Sequence, residues 1–285
     1  MGHKKKKAKV EALADGVPGL ICTGYLKDVN ESSGLALTSE PGLFYTHGDH
    51  GNDPILYTIN WQGEVVSQLR VPGAVNNDWE GLTRDNQGRI YIGDFGNNRN
   101  DRRDLTIYRF DPAHPDTEPA RIFFLYADQH EFPPADKADY NFDCEGMVWR
   151  EGMLYLFTRD RGRHRLCRVY ALSAQPGTAV AQPIGEYELP AEVTDAALSP
   201  DNTHLALLSQ QQLFLVTITP ESLVGGSVRV IPLPGVSHAE GVVFTDRYTL
   251  AITTERGGMY QLILPHAVVT DLKPESATES AAEAA

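Results

Sequence analysis

Five short segments of this chain place a polar residue at one register, and four of those five residues are acids. The segments are Glu31-Ser32-Ser33-Gly34-Leu35, Asp78-Trp79-Glu80-Gly81-Leu82, Asp143-Cys144-Glu145-Gly146-Met147, Val193-Thr194-Asp195-Ala196-Ala197 and His238-Ala239-Glu240-Gly241-Val242. Aligned on the residue before Gly or Ala, they read Ser33, Glu80, Glu145, Asp195 and Glu240, at intervals of 47, 65, 50 and 45 residues. A repeat of this kind sets equivalent residues around one axis. Carboxylates gathered at an axis repel one another unless positive charge lies among them. Carboxylates, a hydroxyl and water suit a hard cation, and a ring of this radius and flexibility favours Ca²⁺ over Mg²⁺. No His or Cys stands at the aligned register, which argues against zinc. The competing reading is that these acids accept backbone N–H bonds, bridge buried waters or pair with arginines.

The elements that position this register are β-runs. Each signature opens one run, and further runs follow at 42–47, 89–94, 153–158, 204–209 and 249–254. Third runs cover 55–59, 105–110, 166–172, 213–218 and 259–264, and fourth runs cover 64–71, 120–126, 182–189 and 227–233. They are short, β-branched or aromatic, and bounded by Gly, Pro, Asn and Asp, so each block reads as a four-stranded meander. The fifth block lacks its fourth strand, and the unassigned run 20–26 is placed to supply it. The reading is an all-β, five-bladed β-propeller closed by its N-terminal strand, which removes the sheet edges an open array would leave. Residues 19–266 form that domain, 1–18 a flexible basic tail and 267–285 a disordered Ala- and Glu-rich tail.

Residues two apart in a strand share a face. Glu31, Asp78, Asp143 and His238 therefore form a second tier beside the aligned register. Turns after the second strands gather at one mouth and bring His47, Asp49, His50, Asp94, Asn97, Asn98, Arg159, Asp160, Arg161, Glu255 and Arg256. Acids beside arginines suit a phosphorylated substrate, with arginines on phosphate oxygens and carboxylates positioning water. The candidate catalytic residues are Asp49, Asp94, Arg159 and Arg161, and the plainer alternative is solvated loop tips with local ion pairs. Trp79 and Trp149 read as packing between blades, and Cys144 as a packed thiol.

The five signatures resemble those of the calcium-activated nucleotidases, the apyrase family of five-bladed propellers with a central calcium. The family's ring reads Ser, Glu, Glu, Ser, Glu in chain order, so the resemblance implies Ser33, Glu80, Glu145 and Glu240 as ligands. Asp195 stands where that family has Ser and makes this ring more acidic. Outside the signatures the likeness extends to Asp49 and to Thr158-Arg159-Asp160-Arg161. A broader likeness to bacterial propellers described as phytase- or esterase-like rests on the repeated Glu-Gly openings.

Net charge of −13 argues against nucleic acid as partner. No apolar run is long enough to cross a membrane. Three cysteines without paired spacing give neither a disulfide framework nor a zinc pattern, and fit a cytoplasmic protein, with a secreted or periplasmic mature form as the alternative. A monomer is expected. Two functions remain open. One is a Ca²⁺-dependent hydrolase of phosphate esters, anhydrides or other small polar esters; the other is a non-catalytic propeller that binds a protein or glycan around a structural calcium.

Overall fold

The computed structural model describes residues 10–12 and 19–270, with backbone alone at 10–12 and 270. The architecture is all-β and almost wholly antiparallel. Two strands, β1 (Val10–Ala12) and β2 (Gly19–Tyr25), precede five consecutive units. The first unit is β3 (Ser32–Leu37), β4 (Leu43–Gly48), β5 (Ile55–Asn60) and β6 (Val65–Arg70). The second is β7 (Trp79–Arg84), β8 (Ile90–Asp94), β9 (Thr106–Phe110) and β10 (Ala120–Tyr126). The third is β11 (Asp143–Arg150), β12 (Met153–Arg159), β13 (Leu166–Ser173) and β14 (Gly177–Glu188). The fourth is β15 (Asp195–Leu198), β16 (His204–Ser209), β17 (Gln212–Thr217) and β18 (Val228–Pro232). The fifth has three strands of its own, β19 (Ala239–Phe244), β20 (Thr249–Thr254) and β21 (Gly258–Ile263). Its fourth strand is β2, which pairs antiparallel with β21 from Gly19↔Ile263 to Tyr25↔Gly258.

Apolar side chains bury between units. Trp79, Ile92, Ala36 and Leu56 form a cluster between the first and second units, and Met147, Leu154, Tyr91 and Ile107 one between the second and third. Phe157, Val169, Leu205 and Phe214 join the third to the fourth. Leu213, Ile231, Val242 and Ile252 join the fourth to the fifth. Phe44, Ile59, Ala251 and Met259 join the fifth back to the first. First strands also touch in cyclic order: β3 with β7, β7 with β11, β11 with β15, β15 with β19, and β19 with β3. Trp79 is fully buried in its cluster, as expected of a packing residue.

Close approach of the first strands explains the glycine in the second and third signatures. A Cβ on Gly81 would lie 2.8 Å from the backbone nitrogen of Met147, and one on Gly146 2.7 Å from that of Ala196. At both positions the obstacle is backbone, which no rotamer change relieves. Register shifts fall at the signatures of β3, β7, β11 and β19. Such bulges bend a strand and re-aim its side chains.

Three features differ from the sequence reading. β14 starts earlier than the run at 182–189, and its first half pairs in parallel with β10, from Ile122↔Gly177 to Tyr126↔Ala181. That pairing fuses the second and third units into one eight-stranded sheet. The preceding Pro176-Gly177 reads as a turn, so local sequence does not disclose a strand that a neighbouring sheet edge completes. Val10–Ala12, inside the segment read as a tail, pairs in parallel with β18. Residues 1–9, 13–18 and 271–285 lie outside the described residues. A short helix, α1 (His266–Thr270), follows β21 and takes up the first residues of the segment read as a disordered tail, because Val268 and Val269 bury in the cluster between the fourth and fifth units.

Gly146→Val tests the strand spacing. The added side chain meets backbone, so unfolding free energy should fall by about 1–3 kcal/mol or more. A urea midpoint equal to that of the unmodified protein would mean that these strands do not approach so closely.

Candidate functional site

The start of β3, β7, β11 and β19 and the turns after the second strands enclose a cavity of about 200 Å³. Its lining includes Ser33, Asp49, Glu80, Glu145, Glu240, Arg159 and Arg161, with Glu31 and Glu255 at its edge. Charge is distributed unevenly within it.

On one side, ligand atoms of Asp49, Asp78 and Glu80 all lie within 4.8 Å of one another. Asp78 and Glu80 come from the start of the second unit, and Asp49 from the turn after β4. Gly96 makes room for them: a Cβ there would stand 2.5 Å from the Asp78 carboxylate and 2.8 Å from Glu80 Oε1. Ser33 donates its hydroxyl to Glu80 Oε2 at 3.1 Å. Among the described residues no lysine or arginine pairs with this trio; the ionic neighbour of Asp78 is His50 Nδ1, at 3.5 Å. Burial, followed by the charges of Asp49 and Asp143, lifts Asp78 to about 6. Burial, Glu145 and Asp49 push Glu80 well above the usual carboxylate range. Asp49 is raised as well, chiefly by burial. A bound cation would oppose all three shifts, since positive charge beside a carboxylate favours its ionised form.

On the other side the acids are already matched. Glu145 Oε1 accepts from Arg161 Nη2 at 2.9 Å and from Arg159 Nη1 at 3.4 Å. Asp143 Oδ2 accepts from Arg161 Nε at 2.5 Å, and its Oδ1 from the backbone N–H of Asn97 at 2.5 Å. Arg159 also donates through Nε to Glu192 Oε2 at 3.2 Å. Burial still lifts Glu145, with both arginines opposing. Glu240 is pushed up to about 8 by burial, which Arg159 opposes and Asp49 and Glu255 reinforce.

Two residues read from sequence as site members have other work. Asp195 does not line the cavity; it is fully buried and accepts backbone N–H bonds from Ala196 and Val242, each at 2.8 Å. A further backbone bond from Leu35 lowers its carboxyl, though burial keeps it well above the usual range. One carboxylate thus fastens the fourth, fifth and first units, the use of buried acids that competes with ligation. Asp94 also stands away from the cavity. It accepts from Asn77 Nδ2 at 2.9 Å, the Asp78 N–H at 3.1 Å and Arg102 Nη2 at 3.0 Å, so it holds the segment leading into β7.

Asp49, Arg159 and Arg161 do line the cavity. Of the second tier, Asp78 joins the acid trio and Asp143 the arginine side, while His238 Nδ1 lies 3.4 Å from Glu255. His47 is fully buried edge-on against Trp79 and is lowered to about 4 by burial, so it does not reach the mouth. Cys144 is buried and its thiol is pushed well up, as befits a packed residue. Gly96 and Glu192 escaped the sequence reading because no repeat marks them. The Gly-Asp-Phe-Gly turn was the available signal for Gly96.

No family model matches the chain, and no curated protein matches it. Solved structures do. A streptogramin B lyase is similar at 15% identity over 86% of this chain and 73% of that one, with a TM-score of 0.39. A gluconolactonase from Xanthomonas campestris is similar at 14% identity over 87% of this chain and 91% of that one, with a TM-score of 0.46. The chemistry available to this chain therefore rests on its own residues.

Glu240 contributes to the pH dependence of the cation-free protein beside the other raised carboxyls. Its folded carboxyl titrates near 8, above the ordinary value of 4.5, so the folded state holds the proton more tightly than the unfolded state. That contribution is complete below about 4.5 and is lost as pH rises through about 8. Glu240→Gln should raise the melting temperature of chelated protein at pH 8.5 by about 2–4 °C, the shift expected of roughly 1 kcal/mol. Equal melting of the two proteins at that pH would contradict the assignment.

Proposed function

We propose that the chain is a five-bladed β-propeller spanning residues 19–266, closed by β2, that holds Ca²⁺ at Asp49, Asp78 and Glu80 and hydrolyses a small phosphate ester or anhydride at the channel mouth. Five four-stranded units, five apolar clusters between successive units and cyclic contacts of the first strands support the architecture. The observation that carries the function is an acid trio that, among the described residues, has no lysine or arginine paired to it, set across an open cavity from two arginines held in place.

The donor set fits a hard cation. It is all oxygen, and a span of 4.8 Å accommodates Ca²⁺–O distances of about 2.4 Å on opposite sides of an ion. Bound there, Ca²⁺ supplies positive charge against the oxygens of an anionic ester. The chain's own residues do the rest. Ser33 orients Glu80, Arg102 and Asp94 hold the Asp78 segment, and Asp49, which lines the cavity, positions water. Arg159 and Arg161 face charge developing on the substrate. Without the cation, the acids of the lining repel anions, so anion binding is conditional on it.

A specific observation favours a second reading. Both arginines are already engaged by Glu145, Asp143 and Glu192, which suits a cation that fastens the axis of a non-catalytic propeller, whose face binds a protein or glycan. In either reading the protein is proposed as a cytoplasmic monomer without a nucleic-acid partner. Among the described residues no helix is long and apolar enough to cross a membrane, and the three cysteines are free.

Thermal melts with chelator and with Ca²⁺ test the cation. Binding to the native state alone stabilises by about 2.7 kcal/mol at one hundred times the dissociation constant. Asp49→Asn and Glu80→Gln should abolish that gain, while Glu151→Gln, in the β11–β12 turn, should keep it. Identical melting with and without Ca²⁺ would reject the site. Nucleoside di- and triphosphates and simple phosphate esters, assayed with Ca²⁺ and with chelator, test the reaction. Arg159→Ala should lower Ca²⁺-dependent turnover about a hundredfold, or about 2.7 kcal/mol. Cation binding without turnover on any substrate would favour the binding module.

A further inference from the structure

The cavity is lined by six carboxyl groups against two guanidinium groups, those of Arg159 and Arg161. Both arginines are already engaged, Arg161 by Asp143 and Glu145 and Arg159 by Glu145 and Glu192. A Ca²⁺ ion at Asp49, Asp78 and Glu80 would answer that trio alone. Three carboxyl groups of the lining stand outside both arrangements: Glu31, Glu240 and Glu255.

The fold sets these three on one wall. Glu240 lies on β19, Glu255 in the turn after β20 and Glu31 just before β3, so they come from the adjoining fifth and first units. The Glu255 N–H donates to the His238 carbonyl at 2.9 Å, and the Asp49 N–H donates to the Glu31 carbonyl at 2.9 Å, which ties each turn to the strand start beside it. Burial is the main influence on Glu240 and on Asp49. Glu255 acts on both of them, Asp49 acts on Glu240 and Glu31 acts on Asp49, as groups sharing one wall do.

Their own partners are few. Glu31 accepts from the Asn30 and Asn52 amides at 3.4 and 3.2 Å, and Glu255 lies 3.4 Å from His238 Nδ1. Glu240 is largely buried, lines the cavity and has no hydrogen bond or ion pair among the described residues. The charge of Arg159 bears on it, but that guanidinium is held by Glu145 and Glu192. A buried carboxyl without a donor is costly, and a ligand that enters the cavity can bring the donor.

Three properties of the lining define that ligand. An anionic ester alone would add to negative charge that Ca²⁺ only partly offsets, so the ligand needs a positive group of its own. No aromatic side chain lines the cavity, so a quaternary ammonium has no ring face to rest on, whereas a primary ammonium offers three N–H donors to carboxylates. The volume of about 200 Å³ is smaller than the roughly 300–1,000 Å³ of pockets that enclose drug-sized ligands, which suits a short ester.

We propose that the substrate is a small phosphate ester whose alcohol carries a primary amine, its phosphate facing Arg159 and Arg161 and its ammonium facing Glu240, Glu255 and Glu31. This rests on the hydrolase reading above and names its substrate class. In the reaction, oxygen of a water forms the new bond to phosphorus, and the ester bond from phosphorus to oxygen breaks with its electron pair on the leaving oxygen. That oxygen takes up a proton released by the water, so the products are inorganic phosphate and an amino alcohol that keeps its ammonium.

The test uses the full chain with Ca²⁺ and compares 2-aminoethyl phosphate with 2-hydroxyethyl phosphate, which has nearly the same shape and no ammonium. The ratio of their kcat/KM values should favour the amine by about tenfold or more, the worth of hydrogen bonds to a charged group. Glu240→Gln should bring that ratio close to one, and Glu255→Gln, at the exposed edge, should lower it about threefold. Glu151→Gln should leave the ratio as it is. The ratio is the readout because a variant that merely loosens the fold lowers both rates together. The corresponding phosphonates, 2-aminoethyl and 2-hydroxyethyl, have no ester bond to break and report binding by calorimetry. Equal kcat/KM for the two esters, an unchanged preference in Glu240→Gln, or a preference for the trimethylammonium ester overturns the substrate class and leaves the hydrolase reading standing. Tighter binding of the amine phosphonate without turnover of either ester overturns the hydrolase reading and retains the ligand class. Equal binding of the two phosphonates without turnover overturns both.

Discussion

Five first strands packed at backbone contact force their signature side chains into one small space, and the charge gathered there must be balanced on the spot. The contact is close enough that Gly81 and Gly146 have no room for a Cβ. Buried carboxylates at that distance raise one another's pKa and weaken the fold unless each finds a donor or a cation. Much of the surrounding structure follows from how each acid is satisfied.

Three solutions coexist. Asp195 is met by backbone N–H groups and serves as a strut between units. Asp143 and Glu145 are met by Arg161 and Arg159, delivered by a loop that Asp160 holds in shape. Asp49, Asp78 and Glu80 are met by the His50 N–H, a serine hydroxyl and the His50 imidazole at 3.5 Å, with no lysine or arginine paired to them among the described residues. That asymmetry turns a ring of similar residues into a site with an acidic and a basic wall.

The arginine wall is costly to leave half-built. A guanidinium that bridges Glu145 and Glu192 is fixed in orientation at both ends, and removing either acid leaves a charge poorly matched. Such double anchoring suits a group that must meet charge on a substrate without moving, because preorganised dipoles and charges need no rearrangement during reaction. It also links the cavity to the solvent-facing pair of His164 and Glu192.

Periodicity alone determined the β-runs, their grouping in fours and the register of Ser33, Glu80, Glu145 and Glu240, because a repeated strand writes its pattern locally in alternation and turn residues. It also anticipated β2 beside β21, since one block lacked a strand and one run lacked a block. Which acids become ligands was beyond it. Asp195 shares the register of Glu145 yet faces N–H groups of Ala196 and Val242, and those donors sit where the fourth and fifth units meet. Asp78 joins the trio because a glycine eighteen residues further on, at Gly96, yields the space. The parallel pairing of β14 with β10 and the bridge from Arg159 to Glu192 are likewise made across units. Local sequence records which groups a strand offers; the partner that satisfies each is chosen only when distant segments are brought within hydrogen-bonding distance.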